Sequence, residues 1–172
     1  MDSPASQPPL CLACRYRAEH PCRPGGLFDA DHVAHVLATY IEATSVQPSD
    51  RTRRLQAEWA NDCAVELAFH SPDTAFRVVL LAMIELETPQ QALLLATGTL
   101  ETLVATHGPR FIDQIEMLAT QSPRFRYLLS LIWPQGKKAS PTWQRIELAR
   151  MGAPRPGPDD PLPPVGMIAQ VF

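Results

Sequence analysis

Residues 71–90 read SPDTAFRVVLLAMIELETPQ, and this stretch decides the fold class. It opens with a serine followed by a proline, which is typical of a helix start because the serine can cap the helix and proline fits its first turn. The apolar residues then recur every three or four positions: Phe76, Val79, Leu80, Met83 and Ile84. This spacing places them on one wide face and predicts a central helix over 72–87. Thr88 and Pro89 repeat the start signal for the next helix.

The same pattern continues on both sides of this stretch. It predicts helices over about 31–44 and 49–70, and others that begin at Pro89, Pro109, Pro123 and Pro141. Within the helix that begins at Pro89, a kink or break is expected at Gly98, and Gly108 is expected to end the helix as a left-handed cap. No segment alternates with period two. The sequence therefore predicts an all-α fold with six to seven helices in an antiparallel bundle or a short solenoid-like array.

Proline is concentrated at the two ends of the chain. Of 18 prolines, five lie in residues 1–26 and six in residues 153–172. We expect a Pro/Cys-rich N-terminal arm over 1–26, a helical domain over 27–152 and a Pro-rich C-terminal tail over 153–172. The tail is expected to be extended over 154–164, and its apolar end either docks on the body as a strand or plug or frays.

The overall charge excludes one large class of partner. The formal net charge is −3, the pI is about 5.9 and only 19% of residues are charged. A general nucleic-acid binder needs clustered Lys and Arg, so no nucleic-acid partner is expected. No apolar run is long enough to cross a bilayer, and no basic region followed by an apolar stretch opens the chain. We therefore expect no membrane partner, no signal peptide and a cytoplasmic location.

Three of the four cysteines lie within twelve residues and suggest a metal site. Cys11 and Cys14 form a Cys-x-x-Cys turn, and His20 and Cys22 follow two residues apart. Zinc prefers four sulfur or nitrogen ligands in a tetrahedron, so Cys11, Cys14, His20 and Cys22 form a candidate zinc site. A redox pair or incidental thiols are the alternatives, so the expected cofactor is either none or one zinc ion. Cys63 lies on an apolar helical stripe and is interpreted as a small core residue.

Four further residues are candidates for a binding site or for ion pairs. Glu66 and His70 are four residues apart on one helix, which suits an acid–base pair or a surface salt bridge. Glu101 and Glu116 have apolar neighbours, so each is expected to form a buried ion pair or to bind a partner. The candidate cations for these two carboxylates are Arg110, Arg124 and Arg126.

Residues 95–133 carry a set of short motifs. These are Gly98-Thr99-Leu100-Glu101, His107-Gly108, Ile115-Glu116, Pro123-Arg124-Phe125 and Trp133. Together they resemble an uncharacterised family of small all-helical bacterial domains. The resemblance implies a helical fold and a bacterial origin, and it carries no chemistry. Members of such families often lie beside mobile or toxin loci, which is an association and not a mechanism.

The sequence leads to three hypotheses of function. It contains no nucleophile elbow, no P-loop, no dinucleotide-binding glycine motif and no His-Glu-x-x-His motif, which favours a non-enzymatic protein-binding module. Its most concrete form is a bacterial immunity or inhibitor protein whose acidic surface neutralises a toxin. The first alternative is an adaptor or regulator with a zinc-stabilised N-terminal arm. The second is a small helical enzyme that uses Glu66, His70 or Glu101.

Overall fold

The computed structural model describes residues 8, 10–17, 19–46 and 48–168. Over these residues the chain is all-α, as predicted, and contains no strand. The helices are α1 (Leu12–Arg15), α2 (Ala30–Ser45), α3 (Arg51–His70), α4 (Pro72–Glu85), α5 (Pro89–Leu95), α6 (Glu101–Gln121), α7 (Pro123–Leu131) and α8 (Pro141–Ala149), with one π-helical turn (Ala96–Leu100) between α5 and α6. No helix in this part of the chain combines the length and the apolar character needed to cross a membrane.

Most helix starts follow from local capping chemistry. The side chain of Asp29 accepts a hydrogen bond from the backbone N–H of His32 at the start of α2, and Asp50 does the same for Arg53 in α3. Thr88 forms a full capping box with Gln91 at the start of α5. Proline occupies the first turn of α4, α5, α7 and α8. These starts lie where the serine–proline and threonine–proline signals predict them.

The expected irregularity at Gly98 takes the form of a π-helical turn. The backbone N–H of Glu101 reaches back to the carbonyl of Ala96, five residues earlier, so the helix widens instead of breaking. The hydroxyl of Thr102 donates to the carbonyl of Gly98 at 3.0 Å. The backbone therefore stays helical from α5 through this turn into α6.

The predicted helix end at Gly108 is wrong, because α6 continues through Gly108 and Pro109. Proline cannot donate the hydrogen bond that the carbonyl of Ala105 would normally accept, four residues earlier. The ammonium group of Lys137 donates to this carbonyl instead. Gly108 allows close packing and does not form a left-handed cap, since a Cβ at this position would lie 3.1 Å from Cγ2 of Thr142 at the start of α8.

Helix α4 is central, as its wide apolar face predicts. The rings of Phe111 and Phe125 lie 5.0 and 6.2 Å from the ring of Phe76, which joins α4 to α6 and α7. Helices α2 and α4 run side by side in the same direction, with α3 packed against both of them. Helix α8 packs on α6 at the other end of the domain.

The C-terminal segment docks on the body as far as the structure describes it. The backbone N–H of Arg124 donates to the carbonyl of Pro164, and that of Met167 donates to the carbonyl of Gln121, both at 3.1 Å. Leu162 and Ile168 are buried. Of the two sequence alternatives, docking therefore describes the segment up to residue 168, whereas residues 169–172 lie outside the described part of the chain.

Candidate metal centre

The four cysteines of the chain come together in one buried cluster. The Sγ atoms of Cys11, Cys14, Cys22 and Cys63 all lie within 4.8 Å of one another. All four are free thiols, and none is more than 2% exposed. Four sulfurs around a zinc ion at about 2.3 Å lie roughly 3.8 Å apart, so this cluster has the size of a tetrahedral tetrathiolate centre.

The N-terminal arm supplies three of the four thiols through a series of tight turns. The amides of Cys14 and Arg15 donate to the carbonyl of Cys11 at 3.0 and 2.8 Å, which closes the Cys-x-x-Cys turn and begins α1. The backbone N–H of Cys22 donates to Sγ of Cys14 at 3.3 Å. Such N–H···S bonds favour the thiolate form that a metal ion requires.

Helix α3 supplies the fourth thiol and also anchors the arm. Cys63 lies on a buried face with several small neighbours: Ala57, Ala60, Ala64 and Ala68. These small side chains allow α1 to pack closely on α3. One turn after Cys63, the carboxylate of Glu66 accepts the backbone N–H of Leu12 at the start of α1. The helix therefore contributes one ligand and one hydrogen bond to the same arm.

His20 does not belong to the cluster, so the predicted ligand set needs one correction. The backbone of His20 is left-handed, with φ of 42°, and its side chain is exposed. Its Nδ1 lies 3.0 Å from the carbonyl oxygen of Cys14 and donates its proton there. The fourth position belongs to Cys63, which comes from a distant helix. The sequence favours His20 because it lies close to the other three candidate ligands. The signal that points to Cys63 is the total of four cysteines in the chain, which equals the number of ligands that zinc takes.

The thiols share protons among themselves. The pKa of Cys11 is lowered because Cys22 and then Cys63 stabilise its thiolate by hydrogen bonds. The pKa of Cys63 is raised because its proton is held against Cys11 and Cys22 and because it is buried. Burial raises the pKa of Cys14, and the hydrogen bond to Cys11 raises that of Cys22. A divalent cation at the centre would take the place of the shared protons.

Glu66 and His70 share no hydrogen bond or ion pair in the described part of the chain. Glu66 is committed to the backbone of α1, as described above. His70 ends α3 with an exposed side chain, and its ring lies 6.3 Å from that of Phe69. The two residues are therefore used separately.

Glu101 and Glu116 both have partners, and neither partner is one of the arginines named from the sequence. The carboxylate of Glu101 accepts the backbone N–H of Trp133 at 2.7 Å and the side-chain amide of Gln135, which fixes the loop after α7. Glu116 forms an ion pair with Arg145 of α8 at 2.7 Å. This pair is partly exposed, and it lowers the pKa of Glu116 through the hydrogen bonds from Arg145.

The three arginines named as candidate cations have other surroundings. Arg110 pairs with Asp73 of α4. Arg124 donates to backbone carbonyls at the end of α4 and in the C-terminal segment. The Nε of Arg126 is buried without a hydrogen-bond partner among the described residues.

Fold and site together define an all-α protein that carries a candidate tetracysteine metal centre between an N-terminal arm and its third helix. The chain belongs to a family of unknown function, DUF6869, whose model matches residues 47–153. No curated protein and no solved structure matches the chain. The expectation of an uncharacterised family is thus confirmed, and the bacterial origin stays a prediction. The family region includes Cys63, whereas Cys11, Cys14 and Cys22 lie before it.

Proposed function

We propose that the chain is a non-enzymatic protein-binding module of the adaptor or regulator class, whose N-terminal arm is fixed by one structural zinc ion. The ligands are Cys11, Cys14, Cys22 and Cys63. The observation that carries this proposal is the convergence of four buried Sγ atoms within 4.8 Å of one another. It favours the adaptor hypothesis over the immunity protein, for which the acidic balance of the sequence is the only support.

The donor set favours zinc in a structural role. Four thiolates in a tetrahedron suit Zn²⁺ or iron, and zinc has no redox chemistry, which suits a purely structural role. A centre with four protein ligands is closed, whereas a catalytic zinc keeps one position open for water or substrate. The burial of all four sulfurs is consistent with such a closed centre.

Zinc binding would supply the free energy that keeps the arm folded. Residues 10–17 and 19–28 form a series of turns around one four-residue helix and bury few large apolar side chains. Such a segment gains little from hydrophobic burial to offset the entropy of ordering it. Zinc binding contributes this free energy directly, because the site exists only when the arm is folded against α3.

The positions of the candidate catalytic residues favour binding over catalysis. Glu66 holds the start of α1 and Glu101 holds the loop after α7, while the side chain of His70 is exposed at the end of α3. An acid–base mechanism needs such groups together in one cleft. The enzyme hypothesis would therefore need a different set of residues.

The test compares zinc content in two variants. The purified chain is expected to hold one zinc per molecule by elemental analysis, and Cys63→Ser is expected to lose it. His20→Ala is the matched control, because the sequence marks His20 as a ligand and the structure does not. Full zinc in Cys63→Ser, or its loss in His20→Ala, would contradict the proposal. Substitution with Co²⁺ provides a second readout, since tetrahedral thiolate coordination gives a characteristic absorption spectrum even where a variant is less stable.

A further inference from the structure

The seam between α2 and α4 is an exposed surface that the metal centre does not use. Two contacts cross it, an ion pair of Asp31 with Arg77 at 3.4 Å and a hydrogen bond of His35 with Glu85 at 2.7 Å. A cleft opens at each end of this row of contacts. The cleft near the start of both helices has a volume of about 580 Å³, and the one near Glu42 and Glu87 has about 140 Å³.

The larger cleft has an apolar wall in the short loop between the arm and α2. Leu27, which is 65% exposed, and the partly buried Phe28 lie on this wall. They belong to a loop that begins at the metal-centre residue Cys22 and closes where the backbone N–H of Asp29 donates to the carbonyl of Cys22 at 3.2 Å. The loop that forms this wall is therefore tied at one end to a proposed zinc ligand and at the other to the cap of α2.

The two clefts concentrate the negative charge of the protein. Two guanidinium groups, from Arg53 and Arg77, line the clefts. The carboxylates that line them are Asp29, Asp31, Asp73, Glu42, Glu85 and Glu87. With Arg110, which pairs with Asp73, three guanidinium groups face these six carboxylates, so the surface carries a formal charge of −3, equal to that of the whole chain. The remainder of the chain therefore carries no net negative charge.

We propose that the α2–α4 seam docks a basic segment of a partner protein. An apolar side chain of that segment enters the larger cleft against Leu27 and Phe28, and Lys or Arg side chains lie over the carboxylates. Opposite charge speeds the association of this partner and fixes its register on the seam, while an acidic segment would be repelled. The seam from Asp29 to Glu42 is about 20 Å long, enough for about six extended residues. The proposal deepens the proposed function and rests on its protein-binding role.

The experiment selects peptides on the zinc-loaded full chain from a displayed library of random dodecapeptides. Enriched peptides are expected to combine a net positive charge with at least one large apolar residue. Their affinity is expected to fall about tenfold in Asp31→Lys and in Glu87→Lys, one variant for each cleft. Asp159→Lys makes the same change of charge in the C-terminal segment and is expected to leave the affinity unchanged. Added salt should weaken binding to the unmodified chain.

The outcomes separate this proposal from the previous one. No enrichment, neutral or acidic enriched peptides, or equal losses in Asp31→Lys and Asp159→Lys would overturn the seam as a docking surface, even with one zinc per chain. Peptides that bind the seam with unchanged affinity after zinc removal would support the docking surface and contradict the structural role of the metal at the larger cleft. Seam binding that falls in both charge variants and after zinc removal supports both proposals.

Discussion

Cys63 and Glu66 lie one turn apart on α3 and hold the arm in two different ways. The thiol of Cys63 completes the cluster, and the carboxylate of Glu66 accepts the first free amide of α1. The chemistry of each side chain could be predicted from the sequence, but its partner could not, because both partners lie more than 40 positions away in the chain. An apolar stripe on a helix shows that Cys63 is buried. It does not show what Cys63 is buried against.

Arg124 joins the end of α4 to the C-terminal segment. Its Nη1 donates to the carbonyls of Met83, Ile84 and Leu86 at 3.0 to 3.2 Å, and its Nε donates to that of Pro163 at 2.8 Å. Burial lowers the pKa of Arg124, and the guanidinium stays charged because its ordinary pKa is far above neutral.

Arg124→Met is expected to destabilise the protein by about 2 kcal/mol, because it leaves several carbonyls without a donor. Urea unfolding followed by circular dichroism measures this change. Arg126→Met, two residues along the same helix, is the control and is expected to change stability by less than about 0.5 kcal/mol. Equal losses in the two variants would show that the carbonyl contacts of Arg124 do not stabilise the fold.

Glu116 gives the protein a pH-dependent contribution to stability. Its pKa is lowered in the folded state by Arg145, so the contribution is present above the unfolded pKa of about 4.3 and is lost as the pH falls through the folded pKa. The chain is therefore expected to melt at a higher temperature than Glu116→Gln at neutral pH, and the difference should shrink in acid. Thermal melts at several pH values test this. Glu58→Gln, on α3, is the control. A difference in melting temperature that grows in acid would contradict the ion pair.

At the scale of helices, the sequence predicts starts better than ends. The proline signals at residues 71–72, 88–89 and 122–123 correspond to real helix starts, because each acts within one turn of the chain. Thr88 and Ser122 also cap their helices, whereas Ser71 forms no side-chain cap hydrogen bond. Gly108-Pro109 carries the same kind of signal and fails. The helix continues there because of two residues that lie beyond the local sequence. Lys137 donates to the freed carbonyl of Ala105, and Thr142 packs closely against Gly108 of α6.

The docking of the C-terminal segment depends on one glycine. Gly166 has φ of +73°, and a Cβ at this position would lie 2.2 Å from the carbonyl oxygen of Gln121. Gly166→Ala is therefore expected to displace the segment and to destabilise the protein by at least about 1 kcal/mol.

Limited proteolysis and urea unfolding measure the effect of Gly166→Ala, with faster cleavage expected after residue 161. Gly25→Ala is the control, because a Cβ there has open space and the backbone φ is not positive. Unchanged cleavage in Gly166→Ala would show that the segment does not need the close approach to α6 and α7.

At the scale of the molecule, the metal centre joins two parts of the chain. The arm lies before the family region, and α3 lies within it. The all-α class and most helices of the family region could be predicted, since periodicity and caps are local. Three of the four members of the cluster could also be predicted from their spacing. The fourth could not, because it depends on how α3 packs against an arm with little periodicity of its own.

Removal of zinc is expected to release the arm while the helical domain stays folded. A chelator should speed amide hydrogen exchange over residues 10–28 and around Cys63, because these amides are protected only when the arm is in place. Residues 101–149 should keep their protection, since α1 packs on α3, whereas α6, α7 and α8 form contacts among themselves. Uniform loss of protection across the chain would show instead that the metal supports the whole fold, and unchanged exchange would show that it supports nothing.

X-ray absorption at the zinc edge of the purified protein measures the coordination of the metal itself. Four sulfur neighbours at about 2.3 Å and no nitrogen neighbour are expected. The spectrum of His20→Ala should be the same as that of the unmodified chain. A nitrogen neighbour at about 2.0 to 2.1 Å that disappears in His20→Ala, or a protein that binds no zinc, would contradict a centre formed by Cys11, Cys14, Cys22 and Cys63.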